Sequence, residues 1–201
     1  MIALVDYGAS NLKSVAKAIA YLGYQARVTS SPQEVEQARA VVLPGVGAAR
    51  ATVEGLEQSG LGAAIRRVVA QGRPFLGLCV GLQVLFTTSQ EGGGCPCLDI
   101  LPGEVVRLPA GLKVPHIGWN RVWQRQPHPI YEGIPDGAYF YFVHSYYASP
   151  RGPEMVAGET EYGVTFPSVI IRDNLVATQF HPEKSGQVGL RLYHNFLSQV
   201  S

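Results

Sequence analysis

Along the first half of the chain, short runs made wholly of apolar residues alternate with longer stretches whose apolar positions recur every three or four residues. That alternation is the signature of a parallel sheet covered by helices. Ile2 to Val5 reads as a strand, and Ser10 is placed to cap a helix from about Asn11 to Leu22. Within that helix Leu12, Val15, Ala16 and Ile19 fall at i, i+3, i+4 and i+7, and Gly23 stops it. The pattern then repeats. Ala26 to Thr29 is a strand, Ser31-Pro32 opens a short helix to Gln37, and Ala40 to Leu43 is a strand ending at Pro44-Gly45. Helices follow from about Ala48 to Gln71, then a strand from Pro74 to Leu78 and a helix from Val80 to about Ser89.

Beyond Gly92 the pattern changes to denser Pro, Gly and aromatics with strand-like alternation, as in Glu104 to Leu108 and Tyr139 to Tyr147. An antiparallel portion is expected there. The chain closes with a strand from Leu175 to Phe180 and a helix from Val188 to Leu197. The fold class is therefore α/β: an open, mostly parallel, flavodoxin-like sheet flanked by helices, with an added antiparallel portion. No low-complexity linker or fixed-period repeat divides it, so residues 1–201 are expected to form a single domain.

Composition removes several function classes. With 16 Lys plus Arg against 15 Asp plus Glu, the formal charge is +1, too little to hold a phosphate backbone or an anionic membrane. Neither nucleic acid nor membrane is expected as a partner. The longest apolar stretch, Phe75 to Phe86, contains Gln83 and two glycines and falls short of the ~20 residues a bilayer span needs. Three cysteines, an odd number, cannot all pair within the chain. The opening Met1-Ile2-Ala3-Leu4-Val5-Asp6 lacks the basic segment of a secretory signal. Both features favour the cytoplasm.

The chemistry concentrates in two segments. Phe75-Leu76-Gly77-Leu78-Cys79-Val80-Gly81-Leu82-Gln83 is an apolar strand running into a Gly-x-Cys-x-Gly bend and a helix, the nucleophile-elbow pattern with sulfur in place of oxygen. Such a bend strains the nucleophile's backbone and needs small neighbours, here Gly77 and Gly81. A thiol at a helix N-terminus gains thiolate character, its pKa falling from ~8.5. Taken alone, the segment also fits a buried core cysteine between packing glycines. Phe180-His181-Pro182-Glu183 supplies a base and an acid two residues apart, which in extended chain project to the same side. Alone it fits a surface turn. Both segments follow expected parallel strands, so they can meet at the carboxyl edge of the sheet.

Pro44-Gly45-Val46-Gly47 offers a main chain able to approach a substrate closely, and the amides of Val46 and Val80 are candidate oxyanion donors. Gly8-Ala9-Ser10-Asn11 lacks the glycine spacing and lysine of a phosphate-binding loop. His116, His128 and His194 show no metal-site spacing, and Cys95-Pro96-Cys97 reads as two loop thiols. Trp119 and Tyr141 read as core or edge aromatics, Lys184 as a solvated charge, and His144 as a structural imidazole. No cofactor or metal is expected.

Gly77-Leu78-Cys79-Val80-Gly81-Leu82-Gln83 together with His181-Pro182-Glu183 resembles the class I, triad-type glutamine amidotransferases over essentially the full chain. Asp6-Tyr7-Gly8 with Asn11-Leu12, Pro44-Gly45-Val46-Gly47, His116-Ile117-Gly118-Trp119-Asn120, Tyr141-Phe142-Val143-His144-Ser145-Tyr146 and His181-Pro182-Glu183-Lys184-Ser185 are similar to the glutaminase subunits of imidazole glycerol phosphate synthases, in histidine biosynthesis.

The resemblance implies hydrolysis of glutamine to glutamate and ammonia. The ammonia passes to a (β/α)8-barrel cyclase in a heterodimer, and the cyclase makes imidazole glycerol phosphate and AICAR. It further implies Cys79, His181 and Glu183 as the triad and Val46, Gly47 and Val80 as the oxyanion segment. Gly45, Gln83, Val143, His144 and Ser145 would hold glutamine. Asn11, Trp119, Tyr141 and Lys184 would lie toward the cyclase and the ammonia route. Two other functions remain open: the glutaminase of a different synthase, such as that of pyridoxal phosphate synthesis, and a non-catalytic module that binds a phosphorylated ligand.

Overall fold

Runs of four apolar residues have no polar face to turn toward water, so they belong where a sheet is covered on both sides. In the computed structural model, which describes residues 1–8 and 12–200, these runs form the centre of the molecule. The parallel half contains β1 (Ile2–Val5), α1 (Leu12–Tyr21), β2 (Ala26–Thr29), α2 (Pro32–Gln37), β3 (Ala40–Leu43), α3 (Ala49–Gln58), α4 (Leu61–Ala70), β4 (Phe75–Leu78) and α5 (Val80–Gln83). The antiparallel half follows with β5 (Thr88–Ser89), β6 (Cys95–Pro96), β7 (Gly103–Arg107), β8 (His116–Gln124), β9 (Ala138–His144), β10 (Tyr146–Pro150), β11 (Val156–Glu161) and β12 (Thr165–Arg172). The chain then returns to the parallel strands with β13 (Leu175–Thr178) and ends in α6 (Gly186–Ser198).

The large sheet has the order β2-β1-β3-β4-β13-β12-β11-β8-β9. Its first five strands are parallel in the flavodoxin-like order, and the remaining four continue it in antiparallel fashion. Every residue of β1, β3, β4 and β13 is buried. On one face Leu4, Val42 and Leu76 pack into a core with Val15 and Ile19 of α1 and Leu192 and Phe196 of α6. On the other, Val5, Val41 and Phe75 share a core with Val35, Leu56, Ile65 and Val68 of α2, α3 and α4. A smaller sheet, β10-β7-β5-β6, lies beside the first.

Two expectations need correction, and a third is borne out. The helix expected from Val80 to Ser89 is a single turn. The carbonyls of Val84, Leu85 and Phe86, which would extend its ladder, instead accept from the amides of Leu98, Leu101 and Asp99. The strand expected from Tyr139 to Tyr147 is two strands broken at Ser145, because β9 pairs with β8 in the large sheet while β10 pairs with β7 in the small one. The helical stretch 48–71 is two helices parted at Gly60, whose φ of 74° is costly for residues with a Cβ. Ser31 caps α2 as expected, accepting from Glu34 N, whereas the Ser10 cap and Asn11 lie outside the described residues.

Candidate active site

The parallel register β13 to β4 pairs Thr178 with Leu78, so the residues that follow these two strands emerge side by side. Cys79 leaves β4 with φ 54° and ψ −108°, a conformation costing a non-glycine residue on the order of 1–3 kcal/mol. Its neighbours hold it there. The Cys79 amide donates to Thr178 O at 2.7 Å, and its carbonyl accepts from Leu82 N and Gln83 N at 3.0 and 3.2 Å. A Cβ added at Gly81 would overlap the Leu43 carbonyl, and one at Gly77 would stand 2.9 Å from Gly81 O. The bend therefore closes only with hydrogen at both positions.

Three residues past the end of β13, His181 donates its amide to Tyr141 O at 2.9 Å, which ties the segment to β9. Its imidazole Nδ1 lies 2.8 Å from Glu183 Oε1, with both side chains buried. Glu183 Oε2 also accepts from the Tyr193 hydroxyl of α6 at 3.5 Å. The geometry differs from the extended spacing expected: Pro182–Lys184 is a 3-10 turn, opened by proline and closed by Lys184 N to His181 O. Burial alone would lower the His181 pKa. Hydrogen bonds and charges from Cys79 and Glu183 outweigh burial and leave it raised to about 10. The site favours an imidazolium beside the sulfur.

A cavity of about 290 Å³ opens over the thiol, at the small end of the range for ligand sites. Val46, Gly47, Cys79, Val80 and Gln83 line it from the parallel half. Val143, His144 and Ser145 line it at the break between β9 and β10, and His181 and Lys184 close it. Gly47 sits at φ 91°. Gly45 does not line the cavity: it lies beneath, where a Cβ would overlap the backbone of Val80 and Gly81, so it seats the elbow against β3. Glu183 stands behind His181, outside the cavity.

His144 is held rather than free to shuttle protons. Its Nδ1 lies 2.9 Å from Tyr146 O, which can only accept, so this nitrogen carries the proton. Its Nε2 then accepts from His116 Nδ1 at 2.9 Å, and His116 Nε2 accepts from Asn120 Nδ2 at 3.3 Å. Burial lowers the pKa of His116 to about 4 and, with help from neighbouring His116 and His181, that of His144 to about 3, so both rings are neutral near pH 7. This chain pins the strand break that forms one wall of the cavity.

Trp119 stands edge-on to Tyr141, ring centroids 6.0 Å apart, and Lys184 Nζ lies 6.0 Å from the Tyr141 ring centre. Trp119 is 55 % exposed and is not a core aromatic. With Ile117 and Tyr139, also exposed, it belongs to an apolar surface on β8 and β9. Asn11 lies outside the described residues.

Two site residues escaped sequence reasoning. Glu91 lines the cavity and accepts from Ala49 N at 2.7 Å at the start of α3. Gln179, fully buried, directs Nε2 at Cys79 Sγ from 3.7 Å. A polar residue closing an apolar strand was a readable signal for Gln179; Glu91 in its glycine run offered none. Cys95, in β6 and not in a loop, and Cys97, in the loop that follows it, are both buried free thiols, and burial, followed by the influence of Cys95, pushes Cys97 up to about 12. Among the described residues no cluster of three His, Cys, Asp or Glu could hold a metal ion, and no helix is long and apolar enough to cross a membrane.

The family model for glutamine amidotransferase class-I matches residues 3–200. The imidazole glycerol phosphate synthase subunit HisH of Dehalococcoides mccartyi (strain ATCC BAA-2266 / KCTC 15142 / 195) is 60% identical over 200 residues, covering 100% of this chain and 98% of that protein. The subunit of the same name from Moorella thermoacetica is 55% identical, with 97% and 93% covered. Among solved structures, one described as a glutamine amidotransferase superposes with a TM-score of 0.77 at 20% identity, covering 99% and 98% of the two chains. PurLQS from Thermotoga maritima gives 0.78 at 14%, covering 100% and 98%. These two support the fold. The match over nearly the whole chain and the high identity to full-length relatives show that this chain belongs to the class-I glutamine amidotransferases, grouped there with the HisH subunits of imidazole glycerol phosphate synthase.

Proposed function

We propose that residues 1–201 act as one amidotransferase domain that hydrolyses glutamine and delivers the ammonia to a (β/α)8-barrel cyclase, with which the chain forms a heterodimer in histidine biosynthesis. The observation that carries this reading is the meeting of a strained cysteine with a buried His–Glu pair at one end of a cavity sized for a single amino acid.

The Cys79 thiolate attacks the side-chain carbonyl carbon of glutamine, forming a C–S bond and placing negative charge on the carbonyl oxygen. Amides of the Val46–Gly47 segment and of Val80, all lining the cavity, are the donors to that oxygen in the reacting state, the donation that acyl transfer requires. The His181 imidazolium protonates the nitrogen, the C–N bond breaks and ammonia departs, leaving a thioester. Water, deprotonated by His181, then attacks the thioester, glutamate leaves and the thiolate returns. Glu183 fixes the ring and balances its charge. Gln83 and the backbone of Val143, His144 and Ser145 hold the amino-acid portion, and Glu91, an acidic side chain on the cavity wall, pairs with its ammonium. Trp119, Tyr141 and Lys184 face the cyclase and the path of the ammonia.

Ammonia released from glutamine, measured with the chain alone and with the barrel cyclase carrying its substrate, tests the reading. Weak turnover alone and a rise of roughly 10²-fold or more in the complex is expected, the span one oxyanion donor commands. Equal rates in both conditions would remove the cyclase from the account.

A further inference from the structure

α5 is only one turn long, so the macrodipole of a long helix is not available to stabilise negative charge on Cys79, and another donor must contribute. The side chain of Gln179 meets that need. It is fully buried, with its backbone amide donating to Ser168 O at 2.9 Å. The orientation of its amide follows from an anchor outside itself. The carbonyl of Tyr146 can only accept, so the Gln83 group 2.8 Å from it is the NH₂. The same Gln83 nitrogen lies 3.2 Å from the Gln179 side chain, which must present oxygen there. The opposite end of Gln179 is therefore NH₂, and that end faces Cys79 Sγ at 3.7 Å.

Resting on the reading of Cys79 as nucleophile, we infer that Gln179 is a positioning residue for the reaction: it donates a hydrogen bond to the Cys79 sulfur, holds it toward the cavity, and stabilises it as thiolate. The arrangement is relayed from the glutamine-binding wall, since Tyr146 O orients Gln83, Gln83 orients Gln179, and Gln179 orients the sulfur. The thiol has another hydrogen-bond acceptor in Val143 O at 3.7 Å, which suits the protonated form and opposes the anion. Gln179 tips that balance toward the anion, alongside the His181 imidazolium. The titratable groups that face Cys79 include His181 after β13 and Tyr7 after β1. Both residues are retained in the Gln179 variants, and both interact with the charge on Cys79.

The test uses the full chain and two variants. Gln179→Leu removes the donor, and Gln179→Glu keeps the shape while placing an acceptor against the sulfur. Two quantities are read: the pH dependence of Cys79 alkylation by iodoacetamide, followed by mass spectrometry of the Cys79 peptide, and kcat and KM for glutamine in the cyclase complex. The alkylation midpoint should move to higher pH in the order wild type, Gln179→Leu, Gln179→Glu. kcat should fall by roughly 10–100-fold, as expected for losing a hydrogen bond to a charged group, with KM little changed. A merely structural role predicts the reverse order of damage, because Gln179→Glu preserves the packing. An unmoved alkylation curve in either folded variant, or a change confined to KM, would overturn the inference. The alkylation readout needs no glutamine, so it stands even where wild-type glutaminase activity is absent and the proposed function fails.

Discussion

At the residue scale the account turns on one proton. His181 holds its proton to about pH 10 because the Cys79 and Glu183 contacts outweigh the burial that would strip it. A base whose folded pKa is raised from about 6.5 contributes stability that is fully present below that unfolded value and is lost as pH rises through about 10. Glu183→Gln removes the charge while keeping the shape. It should lower kcat by roughly 10²–10⁴-fold, the scale of general acid–base catalysis, and move the alkaline limb of the pH–rate profile to lower pH. The stability gap between wild type and variant should be widest below pH 6.5 and shrink toward pH 10 in denaturant titrations. An alkaline limb unchanged in Glu183→Gln would mean that the carboxylate does not hold the imidazolium. At this scale Cys79, His181 and Glu183 were legible because their chemistry sits in short local motifs. Gln179 showed only as a polar residue in an apolar strand, its partner Cys79 lying 100 positions away, and Glu91, whose partner Ala49 lies 42 positions away, gave no signal.

At the scale of elements, the bend after β4 is a packing problem solved by glycine. Gly81→Ala sets a methyl group against the Leu43 carbonyl, an atom fixed in β3, so the cost of overpacking, about 1–3 kcal/mol, cannot be relieved by a side-chain rotation. A chain of this length should lose roughly 2–4 °C of Tm per kcal/mol, and glutaminase activity should fall with it as the elbow shifts. Wild-type Tm and activity in Gly81→Ala would show that the bend tolerates a Cβ and that the glycines are incidental.

The same packing decided which elements could be read in advance. β1, β3, β4 and β13 are buried throughout, so their apolar runs announced them. β8 was missed because its periodicity is inverted: His116 is buried while Ile117, Trp119 and Trp123 face outward. The length of α5 was overestimated because residues 98–101, remote in sequence, take its carbonyls.

At the scale of the molecule, the parallel sheet brings the segment after β3, the elbow after β4 and the histidine after β13 to one carboxyl edge, while β8 and β9 present Ile117, Trp119 and Tyr139 to the outside. Tyr141 joins the two regions: its carbonyl takes the His181 amide and its own amide donates to Ser185 Oγ, which in turn donates to His181 O at 2.6 Å. A partner seated on the aromatic face would thus press on the strand that carries the base. All of this presupposes that Cys79 forms the covalent bond to substrate. The complex with the barrel cyclase can be treated with an electrophilic glutamine analogue and digested for mass spectrometry. The account predicts one adduct, on the peptide containing Cys79, suppressed by excess glutamine and absent from Cys79→Ala together with ammonia release. An adduct on Cys95 or Cys97 instead, or ammonia still released by Cys79→Ala, would contradict it.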